Sequence, residues 1–205
     1  MLKVYGQYRS RAFRVIWMCM ESKIPYEHVD VTVNVAGATA KEPWYLDINP
    51  NARVPSIGDD GVVMWESAAI NLYLAEKYSS PLLPGTPQGR ARMLQWAFFT
   101  SNDIEPNMIT LLQHRVMFPP EKRDTAVAEA ADGRLQPGLQ ILNDQLAKTR
   151  YCGGDKWDMA DFMVASVCYT LTAMKYDLSK FPKLQAWLAE SIERPAAKEA
   201  RKLRE

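Results

Sequence analysis

Apolar residues return along this chain in two rhythms, one of strands and one of helices, and the change between them falls near residue 80. Leu2–Tyr5 is a short apolar run closed by Gly6, which predicts a strand. Across Arg11–Ser22, residues Ala12, Val15, Ile16, Cys19 and Met20 recur at the three- and four-residue spacing of one helix face. Ile24-Pro25 ends that helix, because the residue before a proline is driven out of the helical region. Tyr26–Val31 alternates as a strand does, Val33–Thr39 is small and polar and reads as loop, and Lys41–Leu46 has room for one short helix. Val54–Ile57 and Val62–Met64 flank Gly58-Asp59-Asp60-Gly61, whose residues suit a tight hairpin. Glu66–Lys77 is helical again, with Ala69, Ile70, Tyr73 and Leu74 on one face. A β-α-β-α-β-β-α order contains a βαβ crossover and predicts a mixed sheet.

Ser79–Gly89 breaks the pattern with Pro81, Pro84, Gly85, Pro87 and Gly89, a linker composition. Beyond it no strand rhythm survives. Arg90–Met117 is a long helical stretch in which Pro106 predicts a kink. Glu121–Lys148 is another, softened by Gly133 and Pro137-Gly138, and Asp158–Met174 is strongly apolar. Shorter helices are expected over Leu184–Glu190 and Ala196–Leu203. The predicted architecture is an α/β domain with a mixed sheet over residues 1–78, a linker over 79–88, and an all-α domain over 89–205.

Composition narrows the function classes. Of 205 residues, 47% are apolar and 24% charged, the usual balance of a chain with a real core, so disorder, collagen and coiled coil are excluded. The net charge is +1, without the basic excess that a phosphate backbone demands, so nucleic acid is not an expected partner. The one local bias is the basic tail from Arg194, read here as a solvated helix end. Cys19, Cys152 and Cys168 form no C-x-x-C pair for redox or zinc chemistry, and no metal site is expected. No apolar leader precedes a cleavage site, and Phe162–Met174 is too short and polar to span a bilayer, so a cytoplasmic protein with no membrane partner is expected.

Four short motifs carry candidate chemistry, and each also has a plain structural reading. In Asn49-Pro50-x-x-x-Val54-Pro55, a cis Val54-Pro55 bond is expected, with an ordinary trans bond as the plain structural reading. Held at a strand entrance, the Val54 N–H and C=O would pair with an extended peptide-like ligand. Trp65-Glu66-Ser67 opens a helix; Ser67 with the helix dipole suits an anion, and Glu66 an ammonium group, so together they suit the α-amino-acid end of a ligand. As a bare helix start, the same residues are an N-cap. Ser10-Arg11-Ala12-Phe13-Arg14 lies where the first strand meets the first helix. There a hydroxyl, the helix dipole and Arg11 would favour a thiolate, or Ser10 is again only a cap. His28 and His114 are far along the chain from Ser10 and no G-x-S-x-G elbow exists, which disfavours a serine hydrolase. Asp158-x-x-Asp161 reads as an acidic capping box of structural role.

The order and spacing of Ser10-x-x-x-Arg14-Val15, Asn49-Pro50-x-x-x-Val54-Pro55, Glu66-Ser67-x-x-Ile70-x-x-Tyr73-Leu74 and Gly154-Asp155-x-x-Asp158-x-Ala160-Asp161 resemble the cytosolic glutathione transferases over nearly the whole chain. Asp158 departs from the Ser or Thr usual there, a change that keeps the cap. The resemblance implies a thioredoxin-like N-terminal domain and an all-helical C-terminal one, with glutathione as co-substrate and no permanently bound cofactor. Ser10 resembles the catalytic serine of theta- and delta-type members, supported by Arg11 and rivalled by Tyr8. The absence of a nearby cysteine disfavours the cysteine-dependent classes. By the same likeness, Glu66 and Ser67 meet the γ-glutamyl end, Val54 and Pro55 the cysteinyl backbone, and Lys41 or Arg53 the glycyl carboxylate. Tyr8, Met108, Leu111, Leu112 and Met117 are the implied electrophile pocket, between the domains. A twofold homodimer is implied through Arg90, Arg92, Trp96, Phe99 and Asp103, with Asp103 of the partner subunit reaching glutathione.

Two kinds of function follow. One is conjugation of glutathione to small hydrophobic electrophiles in detoxification, with glutathione-dependent isomerisation or reduction as the enzymatic variant. The other is a non-catalytic binding or regulatory member of the same fold.

Overall fold

The structure is a computed structural model and describes residues 1–204. It divides into two compact units, Met1–Leu83 together with the chain from Arg194 onward, and Pro84–Glu193.

The first unit is built on a four-stranded mixed sheet of order β2-β1-β3-β4, from β1 (Leu2–Tyr5), β2 (Tyr26–Val29), β3 (Ser56–Asp59) and β4 (Val62–Trp65). β1 lies parallel to β2, with Val4 opposite His28, and antiparallel to β3, with Tyr5 opposite Ser56. β3 pairs antiparallel with β4 through Ser56–Trp65. The β3–β4 turn places Asp60 at φ 48° and Gly61 at φ 85°. Two successive positive φ values match the right-handed strand twist, and Asp-Gly meets that demand. Asp59 at the end of β3 is buried and accepts from Lys77 Nζ at 2.9 Å and Tyr78 OH at 3.0 Å, tying the hairpin to α3 (Ser67–Lys77).

Helix α1 (Ala12–Glu21) differs from the expected single apolar face: every residue from Ala12 to Cys19 is buried, Arg14 and Trp17 included. The reason lies at the far end of the chain. α9 (Pro195–Lys202) packs on α1 within the same unit, in addition to the contacts that α1 makes with β1 and α3. Arg194 donates from Nε and Nη2 to the two carboxylate oxygens of Glu21, both at 2.8 Å, and Trp17 Nε1 donates to Glu21 at 3.0 Å. Ala197 and Ala200 are buried, and the Arg204 guanidinium lies 4.7 Å from the Phe13 ring centroid. The basic tail is thus no solvated end, and residues from 194 belong with the sheet rather than with an all-helical stretch of 89–205. A bidentate Arg–carboxylate pair at a half-buried seam fixes orientation as well as adding energy, which charge counting along the sequence does not reveal.

The second unit is helical. α4 (Pro87–Phe99) begins inside the segment expected as linker, with Pro87 in its first turn and Thr86 Oγ1 accepting from Gly89 N at 3.1 Å. The predicted kink resolves into π-helical turns at Thr100–Ile104 and Gln113–Met117, flanking α5 (Glu105–Leu112). Pro106 has no N–H for the preceding turn, and widening the ladder just before it accommodates the loss. α6 (Thr125–Lys148) runs unbroken through Gly133 and Pro137; Gly138 serves close packing, since a Cβ there would stand 3.1 Å from Ile104 Cγ1. α7 (Met159–Ala173) and α8 (Pro182–Ile192) complete the unit. No helix among the described residues is long and apolar enough to cross a membrane.

The expected capping box opens α7: Asp158 accepts from Ala160 N at 2.8 Å and Asp161 reaches back to Asp158 N at 3.3 Å. Asp161 does more, accepting from Cys152 N and from Trp187 Nε1 of α8, both at 2.8 Å. Burial pushes its carboxyl from 3.8 up to about 6, against the pull of these donors. The folded state therefore holds the proton more tightly than the unfolded chain, and this group's contribution to stability falls as pH rises through that window. Urea unfolding of wild type and Asp161→Asn between pH 4 and 7 should show the wild type losing stability relative to the variant by up to about 3 kcal/mol. A pH-independent difference would remove the titration from Asp161.

Candidate active site

The sheet register decides where the candidate residues meet. β1 ends, β3 begins and β4 ends at the same edge, because Tyr5 and Trp65 both face Ser56. The loop after β1, the Val54-Pro55 pair before β3 and the Glu66-Ser67 pair after β4 are brought together there. Their separation in sequence is the length of the intervening helix and hairpin.

In the first segment, Ser10 Oγ accepts from Ala12 N at 3.0 Å, so it caps the opening turn of α1. Its hydroxyl donates to the Gln7 carbonyl at 2.6 Å. The oxygen is anchored while the proton can swing to a stronger acceptor, and a thiolate is one. Arg11 is exposed beside it, and Tyr8 is half-buried with its ring stacked on His28, centroids 4.0 Å apart. The parallel pairing of Val4 with His28 carries this histidine to the loop, although the sequence sets it far from Ser10. It makes no catalytic pair with the serine: His28 Nε2 bonds to Gly6 O at 2.6 Å. Tyr5, the other tyrosine near this loop, is half-buried against Tyr45 and Trp44, with ring centroids at 6.1 and 6.4 Å.

In the second segment, the Val54-Pro55 bond is cis. Val54 stands outside the ladder, which begins at Ser56. The buried Asn49 explains the Asn-Pro half of the motif. Its Nδ2 donates to Arg53 O at 2.8 Å, and its Oδ1 accepts from Asn51 N at 3.0 Å. Tyr45, in the short helix α2 (Pro43–Leu46), donates to the same Arg53 carbonyl at 2.7 Å and lies 2.9 Å from Ser56 Oγ. The spacing from Asn49 to Pro55 is thus a hydrogen-bonded frame around the Arg53 carbonyl. Lys41 and Arg53 are both exposed.

In the third segment, Glu66 is exposed at φ 77° and Ser67 is buried in the first turn of α3. A glutamate in the left-handed region carries roughly 1–3 kcal/mol of strain, the kind that clusters at ligand sites. Arg14, which the Ser10 motif includes without giving it a role, is buried and points Nη1 at Ser67 Oγ, 3.5 Å away. A buried guanidinium four residues after Ser10 links the start of α1 to the start of α3. The visible signal was an arginine on an otherwise apolar helix.

The helical candidates fare differently. Met108 and Leu111, two of the residues implied for the electrophile pocket, are fully buried and present no surface. Leu112 is half-buried, while Met117, at 60% exposure, and Asp103 lie at the surface. Cys19, Cys152 and Cys168 are all buried, and burial pushes the Cys19 thiol up to about 12, far from nucleophilic.

The family model described as "Glutathione S-transferase, N-terminal domain" matches residues 8–77, and "Glutathione S-transferase, C-terminal domain" matches 125–190. The chain is 28% identical to glutathione S-transferase GstB of Escherichia coli K12, over 97% of this chain and 96% of that protein. It is 31% identical to a glutathione S-transferase of Hyoscyamus muticus, over 95% of each chain. A crystal structure of the theta class glutathione S-transferase of Xanthomonas axonopodis pv. citri, with glutathione bound, superposes with a TM-score of 0.90 at 30% identity, covering 97% of this chain and 96% of the other.

Because Asn49 is buried and frames the turn before β3, Asn49→Ala should lower the unfolding free energy by about 1–3 kcal/mol, read from urea denaturation. An unchanged midpoint would show that Tyr45 alone sets the frame.

Proposed function

The chain belongs to the glutathione S-transferase family of enzymes, and on that premise we propose that it joins the glutathione thiolate to small hydrophobic electrophiles, with Ser10 as the donor to sulfur. One observation carries this reading: three segments with the chemistry of three parts of one tripeptide meet at a single sheet edge. Glu66 and Ser67 match the ammonium and carboxylate of a γ-glutamyl end, with the α3 dipole and the buried Arg14 adding positive field. Val54 offers backbone groups to the cysteinyl residue, as an added strand would use them. Lys41 and Arg53 supply exposed positive charge for the glycyl carboxylate.

Magnitudes support the serine. A free thiol has a pKa of about 8.5, and lowering it two units takes about 2.7 kcal/mol. A charge-assisted hydrogen bond contributes about 1.5–3 kcal/mol and a helix N-terminus about 0.3–1, while giving up the Gln7 carbonyl costs about 0.5–1.5. The balance reaches the required shift only at the strong end of these ranges, which leaves a part for Arg11. In the reaction the thiol proton goes to solvent, sulfur forms its bond to the electrophilic carbon, and the leaving group departs with its electron pair. No general base is required. Tyr8 is the first unit's candidate for electrophile contact. In the helical unit Leu112 and Met117 keep surface. The reading includes a twofold dimer in which Asp103 of the partner subunit approaches glutathione. Three buried free cysteines accord with a reducing, cytoplasmic location.

Glu66→Ala and Ser67→Ala should each raise the calorimetric Kd for glutathione by at least about tenfold, since truncating one partner of a charged contact costs about 2–5 kcal/mol. Unchanged affinity in both would move the γ-glutamyl site elsewhere. Absence of any glutathione binding by the wild type would sink the whole reading.

Ser10→Ala should lower kcat and move the pH–rate profile alkaline by about one to two units. Glutathione affinity should stay within a few-fold, as the hydroxyl acts on sulfur and not on the peptide. If Tyr8→Phe produces the shift and Ser10→Ala does not, the donor is Tyr8.

A further inference from the structure

The loop that carries Ser10 is held from the neighbouring strand β2. Gly6 donates its N–H to Val29 O at 3.0 Å, and its carbonyl meets His28 Nε2 at 2.6 Å. A carbonyl only accepts, so Nε2 carries the proton and donates. The same imidazole lies nearly parallel to the Tyr8 ring, at 20° between planes and 4.0 Å between centroids. His28 thus grips the loop at Gly6 and again at Tyr8, two residues before the serine.

Gly6 leaves the loop no slack. Its φ is 135°, and a Cβ there would stand 2.9 Å from both the Ala12 and the Val54 Cβ atoms. Ala12 is the residue whose N–H holds Ser10 Oγ, at 3.0 Å. Gly6 thus stands in close approach both to Ala12 in the first turn of α1 and to Val54 before β3. Of the two, the turn that holds Ser10 Oγ is the one continuous with the loop that His28 grips.

We infer that His28 is a positioning residue for the thiolate: its bond to the Gly6 carbonyl and its stack on Tyr8 hold the Gly6–Ser10 loop so that the Ser10 hydroxyl meets sulfur in register with Val54. The inference rests on the role proposed for Ser10. His28 is not assigned as a base for the serine, because Ser10 Oγ is bonded to Gln7 O and Ala12 N instead. Of the two contacts the hydrogen bond is the directional one and sets the loop's height above the sheet. The stack adds area without a fixed angle.

The two contacts separate by substitution. His28→Gln keeps an N–H donor without a ring, and His28→Phe keeps the ring without a donor. The readouts are the pKa of glutathione bound to each variant, followed by thiolate ultraviolet absorbance, and the calorimetric glutathione Kd; neither needs the natural electrophile. His28→Phe should raise the bound thiol's pKa by about one unit, a tenfold loss of thiolate, with Kd within about threefold of wild type. His28→Gln should restore most of the wild-type value. Combining His28→Phe with Ser10→Ala should add nothing to Ser10→Ala alone, because residues acting through one another are non-additive. If His28→Phe does not fold, His28→Asn, whose amide stops short of the Gly6 carbonyl, takes its place with the same expectation. An unchanged thiol pKa in the donor-less variant, with Ser10→Ala shifted, overturns the inference and spares the serine. Losses that add in the double variant overturn it as well. No shift in Ser10→Ala itself overturns the serine assignment and the inference with it.

Discussion

β1 lies inside the sheet with a parallel neighbour on one side and an antiparallel neighbour on the other, and the candidate site depends on that pairing. The antiparallel contact with β3 puts the end of β1 beside the start of β3, and the hairpin returns β4 to the same edge. The parallel contact with β2 delivers His28 and Val29 to the first loop. A one-residue slip of β1 would turn its buried residues Leu2 and Val4 toward the other face. It would also separate Ser10 from Val54. The burial of those two side chains therefore sets the positions of groups that lie beyond the strand.

What the site does electrostatically comes more from backbone and buried groups than from surface charges. Ser10 and Ser67 each stand at a helix start, and Arg14 runs from one helix toward the other beneath the surface. A buried guanidinium is little screened by salt, in contrast to exposed charges such as Lys41 and Arg53. Under the function proposed above, such a buried charge would favour an anionic sulfur in a chain whose net charge is only +1.

Much of this was legible in the sequence, and the exceptions have physical causes. The strand–helix order, the Asp60-Gly61 turn and the α7 capping box followed from periodicity and turn chemistry, which are local. The burial of Arg14 was not visible, because a one-dimensional pattern does not show that the fold sets this side chain against Ser67. His28 was set aside for its distance along the chain, a distance that parallel pairing removes. Met108 and Leu111 were named through the family likeness, which does not carry the burial of each side chain in this chain. The basic tail was misread because its partner, Glu21, lies on the first helix.

The docking of α9 on α1 also bears on the order in which the parts can be completed. Synthesis runs from the N-terminus, so α1 exists long before the segment that covers one of its sides. All of Pro84–Glu193 must be made in between. The sheet unit is topologically discontinuous, with the helical unit inserted between its two pieces. A fragment ending at Leu83 would carry every glutathione-binding candidate named in the first unit and still leave the α9-facing side of α1 open to water. During translation that side of α1 stays uncovered until the residues from Arg194 onward have been made.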